Sequence, residues 1–181
     1  MDDLVKQAMA KWPNVPDCYG WLGLDPRGHW YLRDDAAQAC GSFQSGAAGA
    51  KGSLLQHDKL IEFIHRNYAP DADGAWYFQN GPQRVYVELA LTPLVWRLSD
   101  HFELTAQTGQ VANALACYSD AEGRVYFNTA IGFGLLHTLD VGKAAEGLAQ
   151  ELWQLETVDV ADLEKRFKYR VSPAADKKKP L

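Results

Sequence analysis

The sequence predicts an α+β protein: repeated antiparallel β-hairpin modules forming curved sheets, packed with a few helices. Three segments read as strand, tight turn, strand, at Leu24–Leu32, Pro70–Phe78 and Ser119–Phe127. Around them lie runs rich in aromatic and β-branched residues, and few stretches have helical spacing. Strands and helices do not alternate as a parallel βαβ sheet requires.

The three turns share one pattern. Asp stands three residues before Gly and Tyr three residues after it: Asp25, Gly28, Tyr31; Asp71, Gly74, Tyr77; Asp120, Gly123, Tyr126. An Asp side chain caps such a turn, Gly takes the positive φ, and bulky residues resume a pleated strand. The glycines lie 46 and 49 residues apart, within the period of repeated supersecondary units.

The remaining elements follow in order. Residues 3–11 form a helix that ends before Pro13, and 19–24 with 29–33 make the first hairpin. Residues 34–53, rich in Ala, Gly and Ser, form a connector; its length implies that part is helical or mobile. Ser53 caps a helix over 54–68 whose apolar stripe is Leu54, Ile61, Ile64 and Tyr68. Strands over 75–79 and 83–91 pair through Asn80-Gly81-Pro82. Further strands are expected over 94–98, 102–106, 111–119 and 124–129. Gly132-Phe133-Gly134 suggests a bend or a close backbone approach. Helices are expected over 144–153 and 159–168, the latter capped by Asp159. The domain plan is an N-terminal module, 1–98, with two hairpins and helix 54–68, then a hairpin with helices, 99–171, and a flexible tail, 172–181.

Composition excludes several classes. Of 181 residues 47% are apolar and 23% charged, which suits a globular chain and not a disordered one. No 18-residue apolar run exists to span a membrane, and the acidic start Met1-Asp2-Asp3 is unlike a signal peptide. The net charge of −5 divides unevenly: residues 165–181 are +6 and the rest −11. An acidic body repels phosphate backbones, which argues against nucleic acid as the partner. The basic end reads as a solvated helix end and frayed terminus, or as a small anion-binding tail. Cys18, Cys40 and Cys117 are odd in number and widely spaced, so reduced thiols and a cytoplasmic setting are expected.

Gly28-His29-Trp30-Tyr31, a connector, Leu60-Ile61-Glu62-Phe63-Ile64, Asp73-Gly74-Ala75-Trp76-Tyr77-Phe78 and Val85-Tyr86-Val87-Glu88 stand in that order. This plan, over about residues 20–98, resembles proteobacterial families known as domains of unknown function. One such family has repeated β-rich motifs packed with helices, and a role in signal transduction has been suggested for it. The resemblance implies a fold and a cytoplasmic setting, and no reaction. Two departures stand out: His57 occupies the place of a basic residue in that family, and Asn80-Gly81-Pro82 replaces its Thr-Pro.

The candidate ligand-binding residues are His57, Arg84, Gln83 and Arg33. His57 falls in the apolar stripe of helix 54–68, where an ionisable group needs a partner or a pocket. It is therefore expected to be mostly buried, beside a cleft shared with the second hairpin, as a ligand donor or a core-edge His bonded to a carbonyl. Gln83 and Arg84 start one strand and Arg33 ends another. If the hairpins are equivalent, the two arginines hold a carboxylate or phosphate in a fork; otherwise they pair on the surface with acids such as Asp34 and Asp35. Lys51-Gly52-Ser53 opens a helix but transposes the Gly-Lys-Ser order of a phosphate loop. His29, His65, His101 and His137 show no metal-ligand spacing, and Cys117 sits in an apolar strand as an inert thiol. No catalytic residue, metal or cofactor is assigned. The function expected is a cytoplasmic binding or regulatory module for a small anionic ligand or a protein partner, in signalling. The alternative is an enzyme of unknown class with a cleft using His57 and Arg84.

Overall fold

A computed structural model describes residues 1–178, with the Lys178 side chain excepted. In chain order, α1 (Asp3–Lys11), β1 (Cys18–Leu24), β2 (Trp30–Leu32), α2 (Asp35–Ala39) and β3 (Ser53–Leu54) come first. There follow α3 (Asp58–Arg66), β4 (Tyr68–Pro70), β5 (Trp76–Asn80) and β6 (Gln83–Leu89). Then come β7 (Leu94–Leu98), β8 (Leu104–Ala106), β9 (Val111–Ala112), β10 (Ala114–Ser119), β11 (Val125–Thr129) and β12 (Gly132–Leu136). The chain continues with α4 (Val141–Ala149), β13 (Leu155–Thr157), α5 (Leu163–Phe167) and α6 (Pro173–Lys178). The class is α+β. Among the described residues no helix is long and apolar enough to cross a membrane.

The chain forms two compact units. The first holds residues 1–25, 29–90 and the chain from Arg170; the second holds 26–28 and 91–169. The division at Ala90–Leu91 precedes position 98 because β7 pairs wholly with β8 and β12.

The first unit has a six-stranded sheet in the order β3-β2-β1-β6-β5-β4. Its hairpins are antiparallel, as the sequence indicates, but β1 and β6 join them through a parallel pairing. Leu22, Leu24, Val87 and Leu89 are buried. Because β3 and β4 are opposite edges and α3 lies between them in sequence, the helix crosses one sheet face. There Phe63 meets the Phe78 ring edge-on at 5.3 Å.

The second unit has a seven-stranded sheet, β13-β10-β11-β12-β7-β8-β9, with parallel pairs β12–β7 and β10–β13. β9 pairs with β8 and β10 with β11, yet only Asn113 separates β9 from β10. One bent segment therefore pairs with β8 through β9 and with β11 and β13 through β10, and the sheet curls back on itself. Trp96, Leu104, Tyr126 and Phe127 are fully buried in this unit. Gly132-Phe133-Gly134 lies in a strand, and a Cβ at Gly134 would stand 2.5 Å from Trp96 Nε1 and 2.6 Å from the Leu94 oxygen. This is the close approach that the two glycines suggest.

The three Asp turns adopt one conformation. Gly28, Gly74 and Gly123 have φ of 84°, 82° and 76°. In each, one Asp oxygen accepts the N–H four residues on, from His29, Ala75 and Arg124. A Tyr hydroxyl also donates to two of these carboxylates: Tyr86 to Asp71 at 3.0 Å and Tyr126 to Asp120 at 2.6 Å. Burial alone would raise the Asp120 carboxyl, but Tyr126 and the Arg124 guanidinium and N–H hold it below the usual range.

Three sequence expectations need correction. The helix read over 54–68 begins at Asp58, because Ser53–Leu54 pairs with β2 as a strand. The cap is therefore His57, whose Nδ1 accepts from Leu60 N at 3.2 Å, and not Ser53. The tail does not fray over its described part. Ser172 Oγ and Ala174 N donate to the buried Glu88 carboxylate at 2.5 and 3.1 Å, and Leu89 N donates to the Val171 oxygen at 2.9 Å. Lys177 Nζ lies 4.2 Å from the Tyr19 ring centre. A buried carboxylate needs donors, and Ser172 and Ala174 supply these. Residues 179–181 of the expected tail lie outside the described residues. The connector is partly helical, through α2, and buries Phe43 and Ala50.

Two outcomes follow. Truncation after Val171 removes both donors of Glu88 and is expected to cost about 2 kcal/mol, or about 4–8 °C in melting temperature by calorimetry. An unchanged melting temperature would show that the docking contributes nothing. The second concerns His65, whose Nε2 accepts from Trp30 Nε1 at 2.9 Å. Burial lowers its proton affinity from the ordinary 6.5, against a weaker opposing pull from Glu62. Below that value the unfolded chain binds the extra proton, so stability present above pH 6.5 is lost as pH falls through the lowered folded value. His65→Gln keeps an acceptor for Trp30 and should flatten the melting-temperature profile between about pH 7 and about pH 5. An unaltered profile would assign the acid loss to other groups.

Candidate functional site

The site begins with an irregularity in β1. Cys18 pairs with Val85 of β6, and the next pair is Leu22 with Val87, so two extra residues bulge from β1. Gly20, at φ 80°, makes the bulge possible; a Cβ there would also stand 2.6 Å from Gln38 Oε1. Bulged backbone leaves the ladder, and its carbonyls need other partners.

Arg33, directly after β2, supplies one. Its Nη1 donates to the Gly20 oxygen at 3.1 Å, Nε to the Ala50 oxygen at 2.7 Å, and Nη2 to the Gly41 oxygen at 2.6 Å. The residue is 3% exposed, and its guanidinium carbon sits 5.9 Å from the Phe43 ring centre. It ties the bulge to the connector between α2 and β3.

Between the bulged sheet and α3 lies a groove of about 500 Å³. Leu22, Leu60, Ile64, Phe78 and Val85 form its apolar wall. Trp21 and Leu32 stand at the rim, 44% and 45% exposed, instead of packing into the core. Arg33, Asp34, Ser53, Asn80 and Cys18 add polar atoms. Asp34 Oδ1 caps α2 by accepting from Ala37 N at 2.8 Å. Burial pushes the half-buried Cys18 thiol above its usual range, so it stays protonated. Helix α3 leaves the groove open because it is short and presents only Leu60 and Ile64 to it.

The expected ligand residues divide among different places. Arg33 lines the groove. His57 is exposed at the start of α3 and lines none of the main hollows, contrary to the expectation of burial in a cleft. Helical phase explains this: with the helix starting at Asp58, position 57 is a cap and belongs to no stripe. Arg84 lies 4.9 Å over the Tyr77 ring and lines a separate hollow of about 580 Å³ with Trp12 and Pro16. Gln83 Nε2 donates to the Pro16 oxygen at 3.0 Å. The two arginines therefore do not share a cavity, and neither pairs with Asp34 or Asp35. The groove residues Cys18, Trp21, Leu60 and Phe78 were not singled out as a site by sequence reasoning. The signal available was Gly20 inside a strand, which marks a bulge.

Among the described residues no group of three metal-ligating side chains gathers. Cys117 is buried and its thiol pushed up to about 11, as an inert core cysteine requires. The three free thiols should differ in reactivity. Alkylation followed by mass spectrometry is expected to modify exposed Cys40 first, Cys18 slowly, and Cys117 only on unfolding. Equal rates for Cys18 and Cys40 would show that the groove does not shield its thiol.

No curated protein matches this chain. Two solved structures do. A DUF1285 family protein from Silicibacter pomeroyi DSS-3 is 13% identical, with a TM-score of 0.49, over 81% of this chain and 84% of that one. A DUF1285 family protein from Shewanella baltica OS155 is 14% identical, with a TM-score of 0.43, over 70% and 91%. In keeping with the resemblance carried by residues 20–98, a domain-of-unknown-function family model, DUF2944, described as "Protein of unknown function (DUF2946)", matches residues 1–177, and the chain belongs to that family.

Proposed function

We propose that the first unit is a binding module whose groove takes one small, mainly apolar molecule. The observation that carries this reading is the groove itself: about 500 Å³ of space walled by Leu22, Leu60, Ile64, Phe78 and Val85. That volume lies in the range of small-molecule sites, which combine apolar walls with a few fixed polar groups. A peptide would need a longer trough or an open strand, whereas this space is bounded by one short helix and a bulged strand. The polar lining supports binding over chemistry. The Cys18 thiol is held protonated, one Asp34 oxygen serves a helix cap, and Arg33 is tied to carbonyls. A regulatory role fits a groove bounded by α3, since occupancy would stiffen that helix against the sheet. Three free thiols favour a reducing, cytoplasmic setting for this activity.

Titration with N-phenyl-1-naphthylamine, a neutral apolar fluorophore, tests the proposal. Saturable one-site enhancement is expected, and Leu60→Trp, which fills the groove from α3, should weaken it about tenfold or more while preserving the fold by circular dichroism. Enhancement that does not saturate, or that Leu60→Trp leaves unchanged, would refute the site.

A further inference from the structure

We infer that the ligand of this groove is an amphiphilic carboxylate, its acidic head meeting the Arg33 guanidinium and its alkyl or aryl body lying against Leu60, Ile64 and Phe78. This rests on the reading of the groove as a small-molecule site and adds the class of ligand.

The first support is the charge balance around Arg33. The residue lines the groove and is 3% exposed. All three of its hydrogen bonds go to backbone carbonyls, which carry no net charge. Among the described residues no carboxylate lies within the 4.0 Å of an ion pair. Asp34 is adjacent in sequence but exposed, so water screens it. Glu88 attracts the guanidinium from further away, while its own oxygens bond Ser172 Oγ and Ala174 N. A buried cation without a contacting counter-ion is costly, and burial here loosens the hold of Arg33 on its proton.

The second support is donor geometry. A guanidinium has five N–H groups in a planar fork. The bonds to Gly20, Gly41 and Ala50 engage one on each nitrogen, so Nη1 and Nη2 each keep a second. Those two belong to the pair of nitrogens that meets a carboxylate side by side. Among the described residues lining the groove, Arg33 is the one cationic side chain. A cationic head would meet like charge at Arg33, its one anionic neighbour in the lining being Asp34, which is exposed and has one oxygen engaged by Ala37 N, and an alcohol would gain one neutral hydrogen bond.

Decanoate, decanol and decylamine share a chain and differ in the head group. Their displacement of N-phenyl-1-naphthylamine from the intact protein reads the preference directly. Decanoate is expected to act at about tenfold lower concentration than decanol, with decylamine weakest. Equal potency of decanoate and decanol would overturn the head-group inference and leave the apolar groove standing. Failure of the fluorophore to bind, or of all three to displace it, would overturn the groove reading and this inference with it. Arg33→Lys keeps the charge but loses the fork, and should reduce the preference for decanoate about tenfold. Full preference in a folded Arg33→Lys protein would also overturn the inference. If that variant fails to fold, the wild-type series decides alone.

Discussion

The buried Arg33 side chain is the constraint on which the groove-lining half of the first unit depends. A strand that bulges by two residues leaves carbonyls without ladder partners, and a connector rich in small residues has little of its own to bury. One side chain answers both problems by donating to Gly20 in the bulge and to Gly41 and Ala50 in the connector. With the bulge fixed, Trp21 turns outward and a groove opens between sheet and helix. The clamp and the groove are thus one feature. A glycine without a side chain permits the backbone shape, and a rigid planar fork holds it.

The turns show the same economy of means in both units. An Asp accepts a backbone N–H across each turn, and in two of the three a Tyr hydroxyl steadies its carboxylate. The Tyr need not occupy the same position. At Asp71 the hydroxyl comes from Tyr86 on the next strand, while Tyr77 packs against it at 5.7 Å between ring centres. What recurs is an Asp carboxylate accepting across the turn, since an acid with too few donors would destabilise it. In the second unit this acid also takes Arg124, and the turn becomes a closed polar knot at the end of an otherwise apolar sheet.

Parallel pairings account for how short hairpins become two large sheets. β1 with β6, β12 with β7, and β10 with β13 join segments far apart in sequence. Local turn chemistry cannot specify them, because it acts only across a few residues. The bend at Asn113, which lets one segment pair with β8 and with β11 in the second sheet, belongs to the same class of long-range feature.

The sequence by itself determined the α+β class, the three Asp turns with their positive-φ glycines, β7, the inert character of Cys117 and the close approach at Gly134. Each of these rests on residues within one turn or one strand, where periodicity and backbone sterics act directly. Only the tertiary structure decided the groove. Whether Ser53–Leu54 starts a helix or pairs with β2 depends on a partner strand more than twenty residues earlier, and that choice moved His57 from an apolar stripe to an exposed cap. The docking of Ser172 on Glu88 likewise joins residues 84 positions apart. Arg33 could be named from sequence, but its role could not, because its partners are carbonyls, and every residue offers one of those alike.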